Sequence, residues 1–212
     1  YTFIFNHIIF NLNRLKFSNP FFTNFHMVNL IEYVGGIRNN PLKLTFILIL
    51  VFSFTNPWVE DLMFYKPYIF MTSHYSLIFS GILTGSWFFK GNKFLIILGI
   101  IPIILWHIPL PWFLSSINYF YRILSEITLW LGGLLVGISI KELKLVFKIV
   151  LLALWMLGDT GLSILFLVGN NSYLTPYYNL GDLQITGAVM FVLMNLFLIY
   201  ILAIWFKKYF QI

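Results

Sequence analysis

Two histidines carry the chemistry this sequence can offer. His74 stands in Met71-Thr72-Ser73-His74 and His107 in Trp106-His107-Ile108-Pro109, each inside a strongly apolar stretch. The chain has no cysteine, which removes disulfides, zinc–thiolate sites and thiol catalysis. A soft metal would therefore be held by histidine or methionine. Met71 lies three residues before His74, on the same face of a helix, so His74, His107 and Met71 form a candidate copper-ligating set. Met190 and Met194 are a second spaced pair, although methionine in an apolar helix is ordinarily core filler. Two other readings stay open for the histidines: axial ligation of a haem, or hydrogen bonding within the packing. No catalytic triad, phosphate loop or metalloprotease helix occurs, so no enzymatic reaction is expected.

The elements that position these residues follow from composition. Hydrophobic residues make up 60% of the chain and charged residues 9%, and the mean hydropathy is +0.88. A water-soluble surface needs more charge than that. The expectation is an all-α integral membrane bundle of about six transmembrane helices, at roughly 42–57, 68–89, 94–111, 116–140, 145–168 and 183–206. Pro102 is expected to kink the third stretch and Pro109 to close it. Residues 1–26 lack a clear period and read as a leader or upstream translation before Met27, leaving 27–212 as a single membrane domain.

The net charge of +6 reports orientation rather than nucleic-acid binding. Arg14, Lys16, Arg38, Lys43, Lys90, Lys93, Lys141, Lys144, Lys148, Lys207 and Lys208 fall on one side of the alternating loops, against Lys66 and Arg122 on the other. That bias predicts cytoplasmic N and C termini in a multi-pass protein of the cell membrane, with the lipid bilayer as its first partner. It also gives depth. His74, His107, Arg122, Glu126, Asp159, Asp182 and Gln184 then share the outer half of the bundle.

Ionisable groups at that depth face protein or water and usually pair. Arg122 and Glu126, one turn apart, can pair with each other. Asp159 has no partner in its own helix except Ser163, so either it is protonated or it meets Arg122 or a histidine across the bundle. His74 shares a stripe with Gly81 and Gly85, Glu126 with Trp130, Gly133 and Gly137, and Gln184 with Gly187, Phe191 and Asn195. Small residues four apart mark close helix packing, so these stripes point to one interior polar cavity.

Trp106-His107-Ile108-Pro109, Leu131-Gly132-Gly133-Leu134-Leu135 and Gly181-Asp182-Leu183-Gln184-Ile185-Thr186-Gly187, with Met71-Thr72-Ser73-His74, resemble motifs of CtaG-type cytochrome c oxidase assembly factors. In size and style the chain is more similar to an archaeal membrane family known as domain of unknown function 1404. The likeness runs over roughly residues 68–207. It implies a role in maturing haem–copper oxidases by handling copper on the outer face, with oxidase subunits as partners and with His74, His107 and Asp182 as the residues carried over. The alternatives are a non-catalytic accessory subunit of a respiratory complex and a haem-binding membrane protein. Arg122 and Glu126 stand where the assembly factors have further histidines, and Leu183 follows the aspartate where they have glutamine.

Overall fold

The computed structural model describes residues 40–210, apart from the side chains of 205 and 208–210. The expected leader at 1–26, with Arg14 and Lys16, and Arg38 beyond it lie outside the described residues. These fold into α1 (Pro41–Phe52), α2 (Pro57–Met63), α3 (Pro67–Phe88), α4 (Leu95–Leu105), α5 (Pro109–Ile117), α6 (Tyr119–Ile140), α7 (Leu145–Leu167), a 3-10 turn (Asn171–Tyr173) and α8 (Leu180–Phe210), with no strand among them.

Local sequence sets the boundaries. Proline opens α1, α2, α3 and α5, where its missing N–H would have had no partner anyway. Asparagine side chains cap three starts. Asn56 accepts from Val59 N at 3.1 Å, Asn118 from Phe120 N at 2.8 Å and Asn179 from Asp182 N at 2.8 Å. The end of α7 is closed by Gly169 at φ 71°. There Asn170 N donates to Leu165 O at 2.9 Å and Gly169 N to Phe166 O at 3.0 Å, the paired bonds that only a left-handed residue permits.

The six expected stretches take three forms. Those at 116–140, 145–168 and 183–206 become α6, α7 and α8, each long and apolar enough to cross a membrane. Two others become bent pairs, α1 with α2 at 46° and α4 with α5 at 68°. The stretch at 68–89 becomes α3, which has 22 residues but is less apolar. By length and composition the described residues hold three helices able to cross a membrane, or up to five candidate spans if each bent pair is one, as in a membrane protein.

The end of the fourth helix differs from the sequence expectation, in which Pro109 closes it. Pro102 sits inside α4 without ending it, and the helix stops at Leu105. At 11 residues α4 is about 16 Å long, roughly half of the ~30 Å hydrocarbon layer. Pro109 then opens α5 in a new direction, which leaves Trp106, His107 and Ile108 as a non-helical hinge within the bundle.

Helices α3 and α6 form the centre, and glycines set how close they come. An added Cβ at Gly85 would lie 2.7 Å from Ile138 N, and one at Gly137 would lie 2.8 Å from Ile82 Cα, so backbone packs on backbone. Gly81 and Gly133 make the same approach one turn away. Without a hydrophobic drive between helices in lipid, such contact is the attraction available. Gly132, on the other flank of α6, meets Gly99 of α4, and Gly187 of α8 lies against Ser163 of α7. Most Ser and Thr hydroxyls of α3 bond back to their own helix, as Thr72 does to Tyr68 O and Thr84 to Ser80 O, both at 2.7 Å, while Ser76 donates to Leu50 O of α1 at 2.8 Å.

Candidate functional site

The hinge brings the two histidines together. His74, on α3, and His107 have ring centres 5.5 Å apart and ring planes inclined at 73°. His74 is fully buried, and neither of its ring nitrogens has a hydrogen-bond partner. Its ring packs edge-on against Phe70 at 4.3 Å and lies 6.5 Å from Trp112 of α5. Nδ1 of His107 is 2.5 Å from Ile103 O. A carbonyl only accepts, so Nδ1 carries the proton and Nε2 keeps its lone pair. The hinge itself is anchored, because Tyr173 OH donates to His107 O at 3.0 Å and Trp106 Nε1 to Thr128 Oγ1 at 2.7 Å.

Around the pair is a core of Met63, Phe70, Met71, Trp112, Phe166 and Met190. Met71 is fully buried there, one turn from His74 on α3. Trp112 touches the rings of Phe70, Phe166 and Tyr178, and its Nε1 donates to Tyr173 O at 3.3 Å. Among the described residues no group of three or more His, Asp or Glu side chains is placed to hold a metal. The side chains gathered here are two imidazoles, with the Met71 thioether one turn from His74 on α3.

Arg122 does not pair with Glu126. It is fully buried, and its donors go to main-chain carbonyls: Nε to Ser115 O at 3.1 Å, one terminal nitrogen to Glu60 O at 3.1 Å, the other to Ser116 O at 3.4 Å. Those oxygens belong to the last turns of α5 and α2, where carbonyls lack helical partners and the helix dipole is negative. The guanidinium carbon also lies 3.7 Å from the Phe64 ring centre and 4.7 Å from that of Phe70. Tyr178 adds a further cap to α2, its hydroxyl donating to Met63 O at 2.6 Å. Burial pushes that hydroxyl well above its usual pKa, against a smaller opposing pull from Arg122, so it stays a donor.

The remaining polar residues are dispersed. Glu126 is buried beside Glu60 of α2, and its Oε1 has no hydrogen-bond partner. Asp159 finds its partner in Tyr75, whose hydroxyl donates to Oδ1 at 2.5 Å, while Oδ2 is buried and unpaired. Asp182 forms an ion pair with Lys66 at 3.3 Å, and with Lys66 44% exposed this bridge contributes little. Gln184 is exposed and its amide donates to Leu167 O at 3.3 Å, so it takes no part in the interior. The stripe of α8 that faces inward is Leu183, Thr186, Met190 and Met194.

Tyr75→Phe is expected to lower stability by about 1–3 kcal/mol, because it leaves Asp159 with no partner in a buried site. Asp159→Asn, which still accepts from Tyr75, is expected to cost less. Thermal unfolding in detergent compares the two; equal shifts would show that the hydrogen bond contributes nothing.

Neither a curated protein nor a solved structure matches the chain. Residues 44–208 match the family described as protein of unknown function (DUF1404), and this chain belongs to that family.

Proposed function

We propose that this protein holds a copper ion between His74 and His107, with Met71 as a soft third ligand, and serves the maturation of a haem–copper respiratory oxidase. The observation that carries the reading is the pair of unpartnered nitrogens on a buried histidine whose ring contacts a second imidazole with a free Nε2. A buried acceptor left without a donor costs about 1–3 kcal/mol, and a metal ion would take the lone pair of one His74 nitrogen while the other keeps its proton. The donation from His107 Nδ1 to a backbone carbonyl is the support that orients metal-ligating histidines generally. The oxidase role rests on the resemblance of the histidine motifs to CtaG-type assembly factors. A porphyrin fits less well. A linear nitrogen–iron–nitrogen axis would hold the ring centres more than about 6 Å apart, against 5.5 Å here.

Six crossings of the cell membrane, with cytoplasmic termini, complete the proposal. At 22 residues α3 is about 33 Å long and carries no charged residue. Its Ser, Thr and His content lowers its apolarity, but Ser73, His74, Ser76 and Ser80 are buried within the protein. The lysine bias then places the histidine end of the bundle on the outer side.

Full-length protein purified in detergent is expected to retain about one equivalent of Cu(I), and His74→Ala and His107→Ala are each expected to lose it while still eluting as folded protein. Wild-type protein with no copper above background would end the proposal. A second reading, an accessory subunit of a respiratory complex, draws support from Arg122, whose contacts only join helices. Co-purification with oxidase subunits in the absence of any metal would favour it.

A further inference from the structure

We infer that Arg122 acts as a charge filter, making the His74–His107 site selective for monovalent over divalent soft ions. The inference rests on the copper-site reading above and deepens it. Arg122 is a buried cation whose hydrogen bonds go to three uncharged carbonyls. Among the described residues the one ion pair is Lys66–Asp182, so no carboxylate pairs with Arg122 at contact distance, and the carboxyls within reach of its charge are Glu126 and its neighbour Glu60.

The charge is also close. Its guanidinium carbon lies 4.7 Å from the Phe70 ring centre, and that ring centre lies 4.3 Å from the His74 ring centre. The guanidinium is therefore no more than about 9 Å from His74, with an aromatic ring rather than water between them. The donor set brings no compensating negative charge, since it holds two imidazoles and a thioether and no carboxylate joins it.

Each positive charge on a bound ion meets this fixed charge once. At an effective dielectric of about 20 and a distance of at most about 12 Å, the repulsion weakens binding at least about tenfold per unit of ion charge. A monovalent ion carries that factor once and a divalent ion carries it squared. Salt relieves neither, because the pair is buried.

Equilibrium dialysis of purified full-length protein with Ag⁺ and, separately, with Zn²⁺ tests the filter, with Ag⁺ as a monovalent soft probe free of redox chemistry. Wild type is expected to hold Ag⁺ and to bind Zn²⁺ weakly. Arg122→Gln keeps an N–H donor for a carbonyl but removes the charge, and is expected to raise Zn²⁺ affinity about tenfold more than Ag⁺ affinity. Arg122→Lys keeps the charge and is expected to preserve the wild-type ratio. An unchanged Zn²⁺-to-Ag⁺ ratio in Arg122→Gln, with Ag⁺ still lost in His74→Ala, overturns the filter and leaves the site standing. Wild-type Zn²⁺ binding as tight as Ag⁺ binding overturns it without any variant. Absence of both ions from wild type removes the site, and the filter with it.

Discussion

Arg122→Met is expected to lower the stability of the folded protein by about 3–5 kcal/mol, a large part of the 5–15 kcal/mol typical of a domain. Methionine fills a similar volume, so lost packing is the smaller effect. The larger one is that Ser115 O, Ser116 O and Glu60 O remain behind without their donors. A buried acceptor left unmade costs about 1–3 kcal/mol. Removing a buried charge recovers some desolvation energy, and where both partners of an ion pair are replaced that recovery can win. Here the partners are backbone and cannot be replaced, so the loss dominates. The two short helices α2 and α5 meet at this side chain, and both are expected to loosen first. Hydrogen exchange in detergent should show protection lost across 57–63 and 109–117 before the rest of the bundle. A melting temperature within a degree of wild type would show that other groups hold these helix ends. Arg122→Lys should fall between, because a single ammonium cannot reach carbonyls on two helices in the geometry that a guanidinium fork allows.

The same residue shows where the sequence is legible and where it is not. Spacing alone makes Arg122 and Glu126 neighbours on one helix face. Side chains on a helix lean toward its N-terminus, however, and Arg122 stands in the opening turns of α6. It therefore reaches back to α5 and α2, away from Glu126. Direction, more than period, decided the contact. The glycine pairs read well because small residues four apart have one dominant use in lipid. The histidine pair was visible as two motifs, but the hinge that joins them was not. Pro109 reads equally as the close of one helix or the start of the next, and here it opens α5 after α4 has stopped at Leu105. Tyr75 as the partner of Asp159, and Trp112 at the centre of the aromatic core, carry no signal in one chain. Both depend on how far each helix is rotated about its axis. For α8 that rotation is unreadable, since a helix apolar on all sides gives no moment, and of the stripe through Gln184 only Gly187 is buried, against α7, while Gln184 and Phe191 are exposed.

Gly137→Ala should separate the two central helices, and it is the smallest change expected to abolish the fold. The added methyl would overlap Ile82 O and lie 2.8 Å from Ile82 C and Cα. These are backbone atoms of α3, so no side chain can rotate aside. Relief requires moving α3 as a whole, which would also open the contacts at Gly81, Gly85 and Gly133 along the same seam. Overpacking that side chains can absorb costs about 1–3 kcal/mol, and a rigid backbone on the far side puts this case above that range. Gly158→Ala and Gly161→Ala on α7 supply the control, because nothing lies within 4 Å of an added methyl at either position. Alanine there is expected to be neutral or to stabilise by up to about 1 kcal/mol through its better helix propensity. Size-exclusion profiles and melting temperatures in detergent compare the three variants on one scale. Gly137→Ala should aggregate or melt far below wild type while the α7 variants match it. If all three behave alike, α3 and α6 do not meet backbone to backbone, and the route by which α3 carries His74 to the hinge must be redrawn.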